Sequence, residues 1–109
     1  MADLSRLHAL NAVLDGQTEF LPATSALTIL DSITDRHFEL LSILISSSAN
    51  GDVTIKEGST TRIPPIYFSG PGGVALDDLK LSFGHDQAFK VAANGTATIS
   101  IFYQYTVKR

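Results

Sequence analysis

The closing stretch, residues 95–107 (GTATISIFYQYTV), constrains the fold more than any other part of the chain. Ala97, Ile99, Ile101, Tyr103, Tyr105 and Val107 fall on one side of an extended backbone, and Thr96, Thr98, Ser100, Phe102, Gln104 and Thr106 fall on the other. A period of two with one apolar side marks a strand with one buried face. The residue types agree, because β-branched, aromatic and hydroxylic side chains fit a pleated surface and lose rotamer freedom in a helix. Only Lys108 and Arg109 follow, so the chain ends inside its sheet and the partners of this strand lie upstream. Phe102 is the large apolar side chain left on the other face.

Strand signals recur from Ala26 onward. Ala26–Leu30 reads as a short strand, and His37–Ser47 (HFELLSILISS) is apolar on both faces, as in a central strand covered twice. Asn50-Gly51 signals a type I′ turn, since both residues tolerate positive φ, and it should join that strand in a hairpin to Asp52–Glu57, with Val53 and Ile55 inward. Thr61–Phe68 contains Pro64 and Pro65, which remove two ladder donors and assign the strand to an edge or bulge. Short strands follow at Val74–Leu76 and Leu79–Phe83, broken by Asp77-Asp78, and at Ala88–Ala92, with Phe89 and Val91 inward. Asn94-Gly95 should then turn tightly into the last strand. Seven or eight short strands at nearly even spacing predict an all-β, antiparallel β-sandwich or jelly roll over residues 26–109.

Residues 1–25 read differently, as an N-terminal arm or short helix. Asp3 is placed to cap a helix in which Leu4, Leu7, Leu10 and Leu14 recur at helical spacing, with Gly16 as its C-terminal cap. About three turns of helix are marginal alone in water and need a surface to lie on. Residues 17–25 read as irregular, with Pro22 excluding a central strand position. Leu4, Leu7, Leu10, Leu14 and Phe20 are candidate partner-binding residues on this arm, and Phe102 is another on the sandwich.

The composition narrows the function. With 8 basic against 11 acidic residues the formal net charge is −3, and no basic cluster stands ready to neutralise phosphates, so neither nucleic acid nor membrane is the expected partner. The absence of cysteine excludes disulfides and thiolate metal sites. No basic and apolar leader is visible at the start. Gly70-Pro71-Gly72-Gly73 lacks the Lys-Ser/Thr of a phosphate loop, and Ser82, His85 and Asp86 lie too close along one strand and turn to converge as an acyl-transfer triad. His37, His85 and Asp77-Asp78 have the chemistry of cation ligands, but nothing in the sequence brings them together. Asn94-Gly95-Thr96 matches a glycosylation triplet only formally, and Tyr67, Phe68, Phe102, Tyr103 and Tyr105 form a candidate stacking platform for sugar rings. No catalytic, cofactor-binding or metal-ligating set is expected.

The run LLSILISSSANGDVTIKEGSTTRIPPIYFSGPGGVAL, followed by FKVAANGTATISIFYQYTV, resembles small β-sandwich proteins of tailed-phage particles across residues 38–107. The shared features are a strand ending in serines, an Asn-Gly turn, the VTIKEGST strand and loop, a glycine-rich stretch and a tyrosine-rich closing strand. The resemblance implies a non-enzymatic virion component, such as a capsid decoration or cement protein or a head or tail adaptor. It further implies synthesis in the host cytoplasm, residence in the virion, self-association with a trimer favoured, and contact with the major capsid or another virion protein. A carbohydrate- or receptor-binding module of a phage tail, using Phe102, Tyr67 or residues 69–73, is the alternative.

Overall fold

The computed structural model of the chain describes residue 10 and residues 12–109. Nine strands run in order: β1 (Leu14–Phe20), β2 (Ala23–Leu30), β3 (His37–Ser47), β4 (Gly51–Glu57), β5 (Thr60–Phe68), β6 (Gly72–Leu76), β7 (Leu81–Ser82), β8 (Phe89–Gly95) and β9 (Ile99–Lys108). They form two sheets, the first in the order β1-β9-β3-β6 with β7 also on β3, the second in the order β2-β8-β4-β5. Every strand pairing is antiparallel. Because β9 takes one edge of β3 along its whole length, β6 and β7 follow one another along the other edge.

The sheets face each other across one core, as in a β-sandwich. The first sheet contributes Phe38, Leu40, Ile43 and Ile45 from β3, with Ile99, Ile101, Tyr103 and Val107 from β9. The second contributes Val53, Ile55, Phe89, Val91 and Ala93. Burying each large aliphatic or aromatic side chain here stabilises the fold by about 1.5–3 kcal/mol. The closing strand lies centrally between β1 and β3, with the faces its alternation predicts: Ile99, Ile101 and Tyr103 are buried and Phe102 is exposed. The double proline of β5 lies on an edge strand, where its missing donors cost the ladder least.

Four sequence expectations are corrected. Leu14–Phe20 and the start of Ala23–Leu30 are strand where a helix end and an irregular linker were expected. Leu14 opens β1, Gly16 lies inside it, and all seven residues of β1 pair with β9 from Leu14↔Tyr105 to Phe20↔Ile99. Leu10 makes a parallel bridge to Val107. A free edge of the central β9 offers a full ladder of donors and acceptors, which outweighs a marginal short helix. Leu4 and Leu7 lie outside the described residues.

Neither Asn-Gly dipeptide makes a hairpin. β3 and β4 belong to different sheets, as do β8 and β9, so both dipeptides stand where the chain steps across the sandwich. Gly51 and Gly95 are register partners there. Gly95 has φ +116°, and a Cβ on it would lie 2.8 Å from the Asn50 carbonyl oxygen, so glycine serves close backbone approach rather than a primed turn. The tight hairpin is instead β4–β5. Glu57 pairs with Thr60 across Gly58-Ser59, and positive φ at Gly58 alone matches a type II′ turn.

β3 is central but covered on one face only. A bulge between Leu40 and Ser42 lets Phe38 and Leu40 before it, and Ile43 and Ile45 after it, all point inward. Leu44 is thereby turned out and is 45% exposed.

Candidate interaction face

The register carries a row of residues straight across the outer face of the first sheet. Gln17 pairs with Phe102, Phe102 with Leu44, and Leu44 with Ala75. At its centre Phe102 (40% exposed) and Leu44 stand side by side on two central strands. The flanking rows are polar. On one side Asp15, Gln104 and Ser42 align, with the Ser42 hydroxyl 3.2 Å from Gln104 Oε1; on the other Glu19, Ser100 and Ser46 align, with the Ser100 hydroxyl 3.2 Å from Glu19 Oε2. The face is therefore an apolar strip held between fixed polar rows.

A shallow hollow of ≈ 260 Å³ opens beside this strip, walled by Leu44 and Phe102 and edged by Asp15, Ser42, Asp77 and Gln104. Gly16 lies at its edge. On the inner side of β1 a Cβ at Gly16 would collide with the Tyr103 ring, so this glycine makes room for a core tyrosine. Burial pushes the Tyr103 phenol up from its ordinary pKa, opposed by a hydrogen bond with Thr18, and burial together with the neighbouring Tyr103 pushes Tyr105 up. A larger hollow of ≈ 590 Å³ lies at one end of the sandwich, lined by Leu30, Ile33, Phe38, Tyr105 and Val107 with the polar loop 31–34. Asp31 and Tyr105 are the titratable side chains that line it among the described residues.

The candidate residues separate clearly. Leu10, Leu14 and Phe20 pack against the core of the domain itself, whereas Phe102 is turned to solvent. Leu44, the partner of Phe102 in register, was missed. Its signal was the apolar residue on the second face of β3, which reads equally as a doubly covered strand. Tyr67 is 77% exposed on the outside of the second sheet, and Phe68 is buried.

Ser82, His85 and Asp86 do not assemble: the Ser82 hydroxyl faces Glu39 Oε2 at 3.3 Å, and Asp86 Oδ1 accepts the Asp35 backbone N–H at 2.8 Å. Glu39 also pairs with Lys108 at 3.0 Å, and this hydrogen bond holds its carboxyl below the usual range. His37 and His85, far apart in sequence, do meet, with ring centres 4.9 Å apart. Asp77 and Asp78 do not complete them, for no group of three or more metal-ligating side chains gathers among the described residues. Asn94 lies at the crossing between sheets, its amide 3.1 Å from Asp52 Oδ1.

The chain matches no protein-family model and no curated protein.

Proposed function

We propose that this chain is a non-enzymatic structural protein of jelly-roll type, which assembles with copies of itself and with a larger protein shell as a capsid decoration or cement protein does. The observation that carries the reading is the Leu44–Phe102 pair, two large apolar side chains exposed in the middle of an ordered sheet face. Nothing in the sandwich's own core requires them there, and a contiguous apolar strip rimmed by polar residues suits a protein contact. The strand order supports the jelly-roll assignment. With β6 and β7 counted as one column, the sheets read 1-8-3-6 and 2-7-4-5, the interleaving produced by rolling up one long antiparallel ribbon.

In this reading the face joins copies in a closed homo-oligomer, a trimer by preference, and that oligomer attaches to the major capsid or another virion protein. The protein is made in the host cytoplasm and resides in the virion, binding neither nucleic acid nor membrane. Light scattering on size-exclusion fractions, followed by binding to undecorated particles, tests it. Leu44→Glu with Phe102→Glu should leave a folded protein that neither oligomerises nor binds. Assembly unchanged in that variant would show that the contact lies elsewhere on the protein.

A second reading rests on the smaller hollow. Phe102 beside Asp15, Ser42, Asp77 and Gln104 pairs a ring face with hydroxyl-bonding groups, as a carbohydrate-binding module does. Glycan-array binding lost on Phe102→Ala would favour it over assembly.

A further inference from the structure

We infer that His37 and His85 form a binding site for a divalent late-transition metal such as Zn²⁺, Ni²⁺ or Cu²⁺. His37 opens β3, and His85 lies 48 positions later in the turn after Phe83. Two backbone bonds straddle His37 and fasten that turn against it: Phe83 N–H donates to the Phe38 carbonyl at 2.8 Å, and Asp86 N–H donates to the Arg36 carbonyl at 3.0 Å. Two more hold the surroundings, from Asp35 N–H to Asp86 Oδ1 and from Gly84 N–H to Glu57 Oε2, each 2.8 Å. Asp35 and Asp86 both take φ of 60°, a conformation that non-glycine residues seldom adopt. His85 is thus delivered to His37 by a braced turn rather than by a swinging loop.

The ring geometry suits a shared ion. Imidazole nitrogen binds zinc at about 2.0–2.1 Å, which sets the metal about 3.2 Å from each ring centre. Two rings ligating one ion at an angle between about 90° and 110° then have centres about 4.5–5.2 Å apart. The observed separation is 4.9 Å with planes at 77°, an edge-to-face contact whose spacing falls within that range. Independently, His37 Nδ1 is buried and has no hydrogen-bond partner among the described residues. A buried imidazole nitrogen needs a proton acceptor, a donor or a metal, and no described residue supplies either of the first two.

With no third ligand among the described residues, the remaining positions fall to water on the exposed His85 side, and the affinity is modest. Nitrogen ligands select against Mg²⁺ and Ca²⁺, which require oxygen. A bound ion would clip the connection between β7 and β8 to the first residue of β3, tying the two sheets at one end, and would stabilise the folded chain by mass action.

The test is thermal melting of the full chain in EDTA, in 1 mM MgCl₂ and in 0.5 mM ZnCl₂, with calorimetric titration of zinc. The expected result is a rise in Tm of several degrees with zinc alone, one ion bound per chain, and no rise with magnesium. His85→Gln, at an exposed position, should melt like the parent in EDTA yet lose the zinc response; His37→Gln should lose it too. His8→Gln, which removes the remaining histidine, should keep it. Absence of a zinc response in the parent chain, or a response undiminished in His85→Gln, would overturn the assignment.

Discussion

Neighbouring residues of β9 have opposite fates. Ile101 is fully buried and Phe102 is 40% exposed. Ile101→Asp places an unpaired charge in the core at a cost of several kcal/mol, against a total stability of about 5–15 kcal/mol, and should abolish the cooperative melt followed by circular dichroism. Phe102→Asp should leave the melt nearly unchanged. Gly16→Val should destabilise by about 1–3 kcal/mol, because its Cβ meets the Tyr103 ring on the inner face and the core must shift. Gly95→Val should also lower Tm, through its φ of +116° and the Asn50 carbonyl rather than through any hairpin turn. The buried phenols predict an alkaline limit. Their folded pKa lies above the unfolded value of about 10, so the stability they contribute is fully present below pH 10 and is lost as pH rises through the folded value. Melts of Tyr105→Phe should fall less steeply above pH 10 than those of the parent. Glu39 has the opposite sign: its lowered pKa contributes stability above about pH 4.3 that is lost on acidification.

Among the elements, β1 decides what the N-terminal quarter is for. The leucine spacing from Leu4 to Leu14 reads as a helix because three- and four-residue steps between leucines fit a helix well. The tertiary fold instead uses Leu14 and Phe20 on an edge strand whose alternate residues Asp15, Gln17 and Glu19 face solvent. That alternation was present in the sequence, yet Gly16 in its centre looked like a helix stop. Deleting residues 1–22 therefore removes β1, bares one edge of β9 and uncovers the Tyr103 ring. The truncated chain should melt well below the parent and self-associate through the open strand edge, as read by circular dichroism and light scattering. A truncated chain as stable as the parent would show that β1 contributes nothing to the core.

At the scale of the molecule, the two sheets differ in what they offer a partner. The first carries the Leu44–Phe102 strip between carboxylates at Asp15, Glu19 and Asp77. The second sets Lys56 directly opposite Lys90, a like-charge pair that neither lysine relieves by an ion pair with a described residue. A contact through the first face is mainly apolar, so it should weaken little between 0.05 and 0.5 M salt, roughly the range over which screening removes a surface electrostatic contact. Oligomer mass measured across that range checks this. Dissociation at high salt would move the contact to the charged groups.

The sequence alone determined the strands whose pattern is local. His37–Ser47 was read with its observed bounds, the faces of the closing strand follow from its period of two from Ile99 to Gln104, beyond which Thr106 is buried beside Val107, and the two prolines of β5 specify an edge. These features depend on the residue's own φ preference or on alternation along one segment. Only the tertiary structure decided which strands share a sheet. Asn50-Gly51 and Asn94-Gly95 carry the local chemistry of a hairpin, but pairing is a competition among all available edges, and β9 and β4 were worth more to β3 and β8 than the hairpins would have been. The same non-local competition turned Leu44 outward through a bulge, converted a leucine-spaced segment into β1, and set His85 against His37. No spacing along the chain encodes such meetings, because they arise when two elements distant in sequence are fastened by backbone bonds of their own.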